Sequence, residues 1–393
     1  MDPRLVPLRR RFPMVADLER RARWRIPRFA FDFLQGGAGD ETGMPRNRRA
    51  LQAVEVMPRY GVKVGNVDPS AELFGHRYAA PVGIAPIGFD GIMWPGATRA
   101  FAEAAQALNL PYMVGTLATE TIETVAALAP DVTWFQLYPL AAEDHRITFD
   151  LADRAERAGA KVLAATLDVP ARTKRPRDMR NGFGMPFRLT ASLFAQAAVA
   201  WPWSLAIARH GIPTFANIVP YSGPGRDVTA AFVGKHVGGG FDWDALARLR
   251  DRWPRAMMVK GVMHPEDAER AVALGIDGVV VSNHGGRQFD AAPAPVDVLP
   301  LVAGAVGSRA TVMLDSGVTA GVDVLRALAL GAKGVLAGRA FMLSLAALGD
   351  IGARHMGGAF IEELSLAMGQ TGVTRVEDIQ TLATRHPGAW RLP

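Results

Sequence analysis

The sequence predicts an α/β protein of the (β/α)8 class, a closed TIM-type barrel of eight parallel strands wrapped by helices. Eight short apolar runs recur along the chain, each stopped by Gly, Pro or polar turn residues. Ala-rich stretches of helical pattern lie between most of them and end in the glycine or small residues that stop helices. A doubly wound sheet is the competing architecture, and it should show Gly-x-Gly-x-x-Gly after an early strand. No such motif is present.

In chain order the predicted strands start with "PVGIAPIG" from Pro81, "PYMVGT" from Pro111, "TWFQLY" from Thr133 and "KVLAATLD" from Lys161. They continue with "AMMVKG" from Ala256, "DGVVVSNHGG" from Asp277, "TVMLDSG" from Thr311 and "KGVLAG" from Lys333. "ATRAFAEAAQALNL" and "GVDVLRALALGAK" are typical of the helices between them. A helical segment precedes the first strand, and residues 1–393 read as a single barrel domain.

Reactive groups in such barrels sit at the C-terminal ends of the strands. Polar residues fall there repeatedly: Gln136 and Tyr138 after the third strand, Thr166 and Asp168 after the fourth, Lys260 after the fifth. His284 and Arg287 follow the sixth, Asp315 the seventh, Gly338 and Arg339 the eighth. A lone buried histidine is usually structural, but packing alone does not gather so many polar groups on one rim.

The spacing breaks once. Roughly ninety residues separate the fourth and fifth strands, well beyond a helical crossover. The insertion, about Arg172 to Gly240, carries "TKRPRDMRNGF", an uncharged stretch from Leu189 to Ala208, and the loose "PYSGPGRD" and "GKHVGGG". A membrane-spanning helix is rejected here: Pro202 interrupts the stretch, and one crossing would put strands of a single barrel in two compartments. An active-site lid, an oligomer contact and a segment lying on a membrane surface remain open.

Composition narrows the function classes. The absence of cysteine excludes disulfides, thiolate metal sites and cysteine nucleophiles, and fits a reducing cytoplasm. The formal charge of +6 is concentrated early, in Arg9, Arg10, Arg11, Arg20, Arg21, Arg23, Arg25 and Arg28. Nucleic acid, an anionic membrane or a solvated face could each explain such an arm; the solvated face is the reading adopted, since no nucleic-acid module accompanies it. The N-terminus lacks the apolar run of a signal peptide, so export is not expected.

The most specific motif is "SNHGGRQ", Ser282–Gln288, with "WFQLY", "VKGV", "LDSG" and "ALALGAKGVLAGR" in support. On these the chain resembles the FMN-dependent 2-hydroxy-acid dehydrogenases and oxidases, which include glycolate oxidase, L-lactate dehydrogenase and mandelate dehydrogenase. The resemblance runs from about Phe31 to the C-terminal region. "GFDGIMWP", "FDWDALARLRDRWP" and the Asp-Ser-Gly at Asp315–Gly317 look most like the mandelate dehydrogenases.

The resemblance implies bound FMN, no metal, and a chemistry that explains the motif. Oxidising a 2-hydroxy acid needs a base, a hydride acceptor and a clamp for the carboxylate. His284 matches the base, and Asp168 the aspartate that pairs with it, although from the residue alone Asp168 reads as a helix cap. Arg287 can meet a carboxylate bidentately, Arg175 matches a second carboxylate-binding arginine, and Tyr138 should bond the substrate. Lys260 matches the lysine at the flavin N1/O2 edge. Gln136, Thr166 and Ser282 correspond to ring and ribityl contacts, and Pro86, Ile87 and Gly88 pass along the ring. Asp315, Ser316, Gly317, Gly338 and Arg339 correspond to the ribityl and phosphate site. The resemblance also implies a homotetramer and oxygen or a quinone as electron acceptor.

Four positions depart from the family pattern. Phe33 stands for a substrate-contacting tyrosine, Gly115 for a flavin-contacting serine, Thr319 for a phosphate-side arginine, and Leu117 for the tryptophan of glycolate oxidase. The last suggests a roomier pocket. The expected substrate is therefore an L- or S-2-hydroxy acid with a bulky or aromatic side chain. The alternatives are an L-lactate dehydrogenase or short-chain oxidase, a flavin-free phosphate-binding isomerase or aldolase, and a non-enzymatic membrane or partner-binding protein. The enzyme is expected in the cytoplasm; peripheral contact to the inner face of the membrane through Phe194, Trp201 and Trp203 stands level with packing of that stretch on a neighbouring subunit or over the active site.

Overall fold

The computed structural model describes residues 3–171, 173–182, 191–223 and 225–392. Arg172, where the predicted insertion opens, and Leu189, where its uncharged stretch begins, lie outside them.

All eight predicted runs become barrel strands: β1 (Val82–Ile84), β2 (Tyr112–Gly115), β3 (Thr133–Leu137), β4 (Val162–Thr166), β5 (Ala256–Val262), β6 (Gly278–Val281), β7 (Thr311–Leu314) and β8 (Gly334–Ala337). They pair in sequence order, and β8 closes on β1. The runs are apolar throughout, not alternating, because inward side chains fill the barrel and outward ones meet helices. Accordingly β3, β4, β6 and β8 are buried at every position.

One hairpin escaped the sequence reading. Residues Ala71–Leu73 and His76–Tyr78 pair antiparallel and plug the bottom of the barrel. The Phe74 ring at its turn packs against Gly278, where a Cβ would come within 2.8 Å of it. Tyr78 accepts a 3.0 Å hydrogen bond from the Trp134 indole. The opposite rim is thereby left as the open end.

The basic arm is only partly the solvated face expected of it. Arg20 and Arg28 are exposed, but Arg21 donates to the Ala347 carbonyl (2.8 Å) and Arg25 to that of Ala346 (3.2 Å). Those carbonyls close the helix Arg339–Leu348, whose negative end attracts cations. Burial lowers the pKa of both arginines, without discharging groups whose ordinary value is so high. The arm is a docked part of the fold.

The insertion between β4 and β5 carries the helices Pro176–Arg180, Ala191–Val199, Trp201–His210, Val219–Ser222 and Arg226–His236. Among the described residues, no single helix is long and apolar enough to cross a membrane. Ala191–Val199 and Trp201–His210 are bent by 101° at Ala200, so they pass that test only as a broken pair. Trp203 anchors the pair to the barrel: its indole donates to the Ile92 carbonyl at 3.0 Å and packs edge-on to Phe29. The other face is open, with Phe194 64%, Trp201 68% and Val199 79% exposed.

Candidate active site

The turn after β6 explains the spacing of "SNHGGRQ". His284, Gly285 and Gly286 all hold positive φ, at 58°, 68° and 75°. A side chain on Gly285 would meet an Arg339 guanidinium nitrogen at 2.7 Å, and one on Gly286 the Met44 amide at 2.9 Å. Only glycine fits at either place. His284 is a non-glycine residue in the left-handed region, the kind of strain that collects at functional sites. Asn283 holds the turn from behind: its carboxamide and that of Asn47 exchange hydrogen bonds of 2.7 and 2.9 Å, both buried.

The imidazole of His284 lies between two partners. Its Nδ1 is 3.0 Å from Asp168 Oδ1, and its Nε2 is 3.2 Å from the Tyr138 hydroxyl. Burial pushes the Asp168 carboxyl up, but the charge and hydrogen bond of His284, with Lys260, outweigh it and hold the group below its ordinary value. An ionised carboxylate only accepts, so Nδ1 carries a proton, and Nε2 is the nitrogen turned to Tyr138 and the cleft. Burial and the Asp168 charge raise the Tyr138 pKa, which keeps its hydroxyl a donor. The arrangement presents a base and a hydrogen-bond donor side by side.

Asp168 reaches His284 because β5 bulges. The register of β5 against β6 shifts between Lys260 and Val262, and Gly261, at φ 99°, lies so close to Asp168 that a Cβ would fall 2.5 Å from its Cγ. The same bulge turns Lys260 inward. Its ammonium, 4% exposed, is 2.7 Å from Asp315 Oδ2 and donates to Ser282 Oγ at 3.0 Å. Burial lowers its pKa, and the Asp315 and Asp168 charges more than restore it, so the buried lysine stays charged. Ser282 Oγ also accepts the His284 amide (3.0 Å), tying base and lysine into one network.

A cationic corner also borders the cleft. Arg287 donates to the Phe33 and Gly36 carbonyls at 2.8 and 2.9 Å, and its guanidinium sits 5.0 Å from the centre of the Phe33 ring. Burial, then Arg175 and Arg339, depress its pKa far below the usual guanidinium range; Arg339 is pushed down to about 10 by burial and Arg175. Like charges crowd here, so an arriving carboxylate is strongly favoured. Phe33 offers Arg287 its ring face and its carbonyl where a tyrosine hydroxyl was the family expectation.

A cleft of about 1000 Å³ runs along this rim. Pro86, Ile87, Gly88, Gln136, Tyr138, Arg175, Lys260, His284, Arg287, Asp315, Ser316, Gly317, Gly338 and Arg339 line it, as does Phe33. Thr166, Ser282 and Asp168 stand one layer behind, where Thr166 Oγ1 accepts from Gln136 at 2.7 Å. Gly115 also lies behind: a Cβ there would meet the Gln136 side-chain oxygen at 3.3 Å. The sequence reading missed Gly261, Asn47 and Asn283, whose signal is geometric. It also missed Phe89 and Phe215, stacked at 4.6 Å, which with Leu117, Val233 and Val237 form an apolar wall of the cleft.

A model of the FMN-dependent dehydrogenase family matches residues 22–386. The chain belongs to this family. The match begins before Phe31, where the sequence resemblance was placed. An L-lactate dehydrogenase of Caulobacter vibrioides is 39% identical, over 95% of this chain and 98% of the relative. An (S)-mandelate dehydrogenase of Pseudomonas putida is 37% identical over 86% and 85%. The crystal structure of a monotopic membrane protein, (S)-mandelate dehydrogenase, superposes with TM-score 0.89 at 34% identity, covering 95% of this chain and 99% of that one.

The protein is thus an FMN-dependent 2-hydroxy-acid dehydrogenase or oxidase acting on a CH–OH group, and its cleft fits the family cofactor. The volume is at the upper end of small-molecule sites. A buried cation, Lys260, lines it, as do the loops after β7 and β8, the usual barrel phosphate site. Ser316 and Gly317 there are both left-handed, at φ 74° and 95°. In this family member Lys260 and Gln136 would hold the ring edge, and the residues from Asp315 to Thr319, with Gly338, the other end.

Proposed function

We propose that the protein oxidises an S-2-hydroxy acid with a bulky or aromatic side chain, mandelate-like in shape, to the 2-oxo acid. The observation that carries this reading is that one cleft is lined by Tyr138, His284 (backed by Asp168), Arg175 and Arg287 and also by the apolar residues Phe89, Leu117, Phe215 and Val237. Arg287 and Arg175 bind the carboxylate. Tyr138 orients the substrate, and His284 Nε2 takes a proton from it while Asp168 stabilises the resulting imidazolium. FMN, when bound, supplies the two-electron acceptor chemistry.

The wall supports the larger acids. A phenyl group offers roughly 100 Å² more apolar surface than a methyl, which at about 25 cal/mol/Å² is about 2.5 kcal/mol of burial. Even half of this gives about tenfold. S-mandelate therefore reduces the flavin anaerobically with at least about tenfold higher kcat/KM than glycolate or lactate. Stopped-flow absorbance of the flavin checks this; a higher value for glycolate or lactate refutes the aromatic reading and favours a short-chain enzyme.

The same proposal places the enzyme on a membrane surface, at the cytoplasmic face, with the bent pair Ala191–Val199 and Trp201–His210 lying in the interface. Its open face carries Phe194, Trp201 and Leu205, with Arg209 and His210 in its last turn, the composition of an interfacial helix. Trp203 is corrected as an anchor: it is 7% exposed and faces the barrel. A membrane quinone is the acceptor such docking favours over oxygen. The wild-type protein sediments with anionic vesicles, and Phe194→Asp with Trp201→Asp abolishes this while flavin reduction changes by less than about twofold, as for surface substitutions. Sedimentation unchanged by the two aspartates would assign the face to a subunit contact. A homotetramer belongs to the proposal, covering exposed apolar residues such as Phe289.

A further inference from the structure

A fully buried carboxylate stands beneath the loop that follows β7. Asp323 Oδ2 accepts the Thr319 amide (3.0 Å), the Thr319 hydroxyl (3.2 Å) and the Ala320 amide (3.1 Å). Two guanidinium groups face it. Arg326 donates to Oδ1 at 3.1 Å, and Arg48, from the helix Gly43–Gln52, donates to Oδ2 and reaches the Gly317 carbonyl at 3.4 Å. Glu363 Oε2 accepts the next amide of the loop, that of Gly321, at 2.6 Å. Of the two arginines, Arg48 lines the cleft alongside Gly317 and Thr319, with a third of its side chain exposed.

A phosphate monoester carries about −1.5 to −2 charges near pH 7. The loop itself brings no cation to meet them, since Thr319 and Ala320 are uncharged. Arg339 lines the cleft, but its nitrogens already donate to the carbonyls of Leu34, Gly285 and Gly36 and to Met44 Sδ. We infer that Arg48 is a phosphate-binding residue for the cofactor, so that an N-terminal helix supplies the charge that the β7 loop lacks. The helix is close enough to do so: a Cβ on Gly317 would meet the Asn47 backbone at 3.1 Å. Asn47 also fixes the catalytic turn through Asn283, so one helix serves both ends of the cleft.

The test compares FMN with riboflavin, which lacks the phosphate. Full-length protein freed of flavin is titrated with each, and flavin fluorescence gives the two dissociation constants. Arg48→Gln weakens FMN binding by about tenfold, the effect of one charge-assisted contact, and leaves riboflavin within about twofold. Thr319→Arg added to that variant restores FMN affinity. If Arg48→Gln folds poorly because Asp323 loses a partner, the double variant R48Q/D323N removes both charges and shows the same selective loss. A folded variant that keeps the wild-type preference for FMN over riboflavin overturns the inference, as does wild-type protein that binds both flavins equally.

Discussion

His284→Ala leaves FMN bound and slows flavin reduction by the hydroxy acid by about 10²–10⁴, the usual cost of removing a general base. Nε2 is the one nitrogen of the imidazole left with a lone pair once Asp168 holds the Nδ1 proton, and it faces the cleft beside Tyr138. Tyr138 does not replace it, because burial keeps its hydroxyl protonated. Cofactor binding is spared: the His284 amide, not its ring, bonds Ser282, and Lys260 is fixed by Asp315 and Ser282 without the imidazole. Alanine tolerates the left-handed backbone less well, so His284→Asn, which adopts it readily, separates loss of the base from loss of the turn. Stopped-flow reduction within about threefold of wild type in both variants would remove His284 from the chemistry.

The barrel was legible because its strands are buried on both faces, which writes continuous apolar runs such as "DGVVV" into the sequence, and because glycines must follow where the chain turns sharply. The polar rim was legible for a related reason: a polar residue directly after such a run has nowhere to go but the open end. What the sequence could not display are contacts made across long separations. Asn47 pairs with Asn283 and Phe89 with Phe215, and nothing local to either marks it. Gly261 reads as an ordinary strand glycine until Asp168 is found against it. The N-terminal arginines were misread in part for the same reason, since the carbonyls that receive Arg21 and Arg25 lie more than three hundred positions later.

Asp168→Asn, a change of positioning residue, slows flavin reduction by about 10²-fold. A hydrogen bond to a charged partner contributes about 1.5–3 kcal/mol, or roughly ten- to hundredfold, and a carboxamide that turned its NH2 toward Nδ1 would also select the wrong tautomer. Asparagine keeps the shape, which matters where Gly261 leaves no spare room. Stability moves as well. The Asp168 carboxyl is held below its ordinary value, burial being outweighed by His284 and Lys260. Its contribution is therefore complete above the unfolded aspartate range, about 3.9, and disappears as pH falls through the lower folded value. Thermal melts should show the wild type losing its advantage over Asp168→Asn only in that acid window. Flavin reduction within about threefold of wild type, or melts in which the two proteins differ equally at every pH, would mean that the Asp168 charge does not support His284.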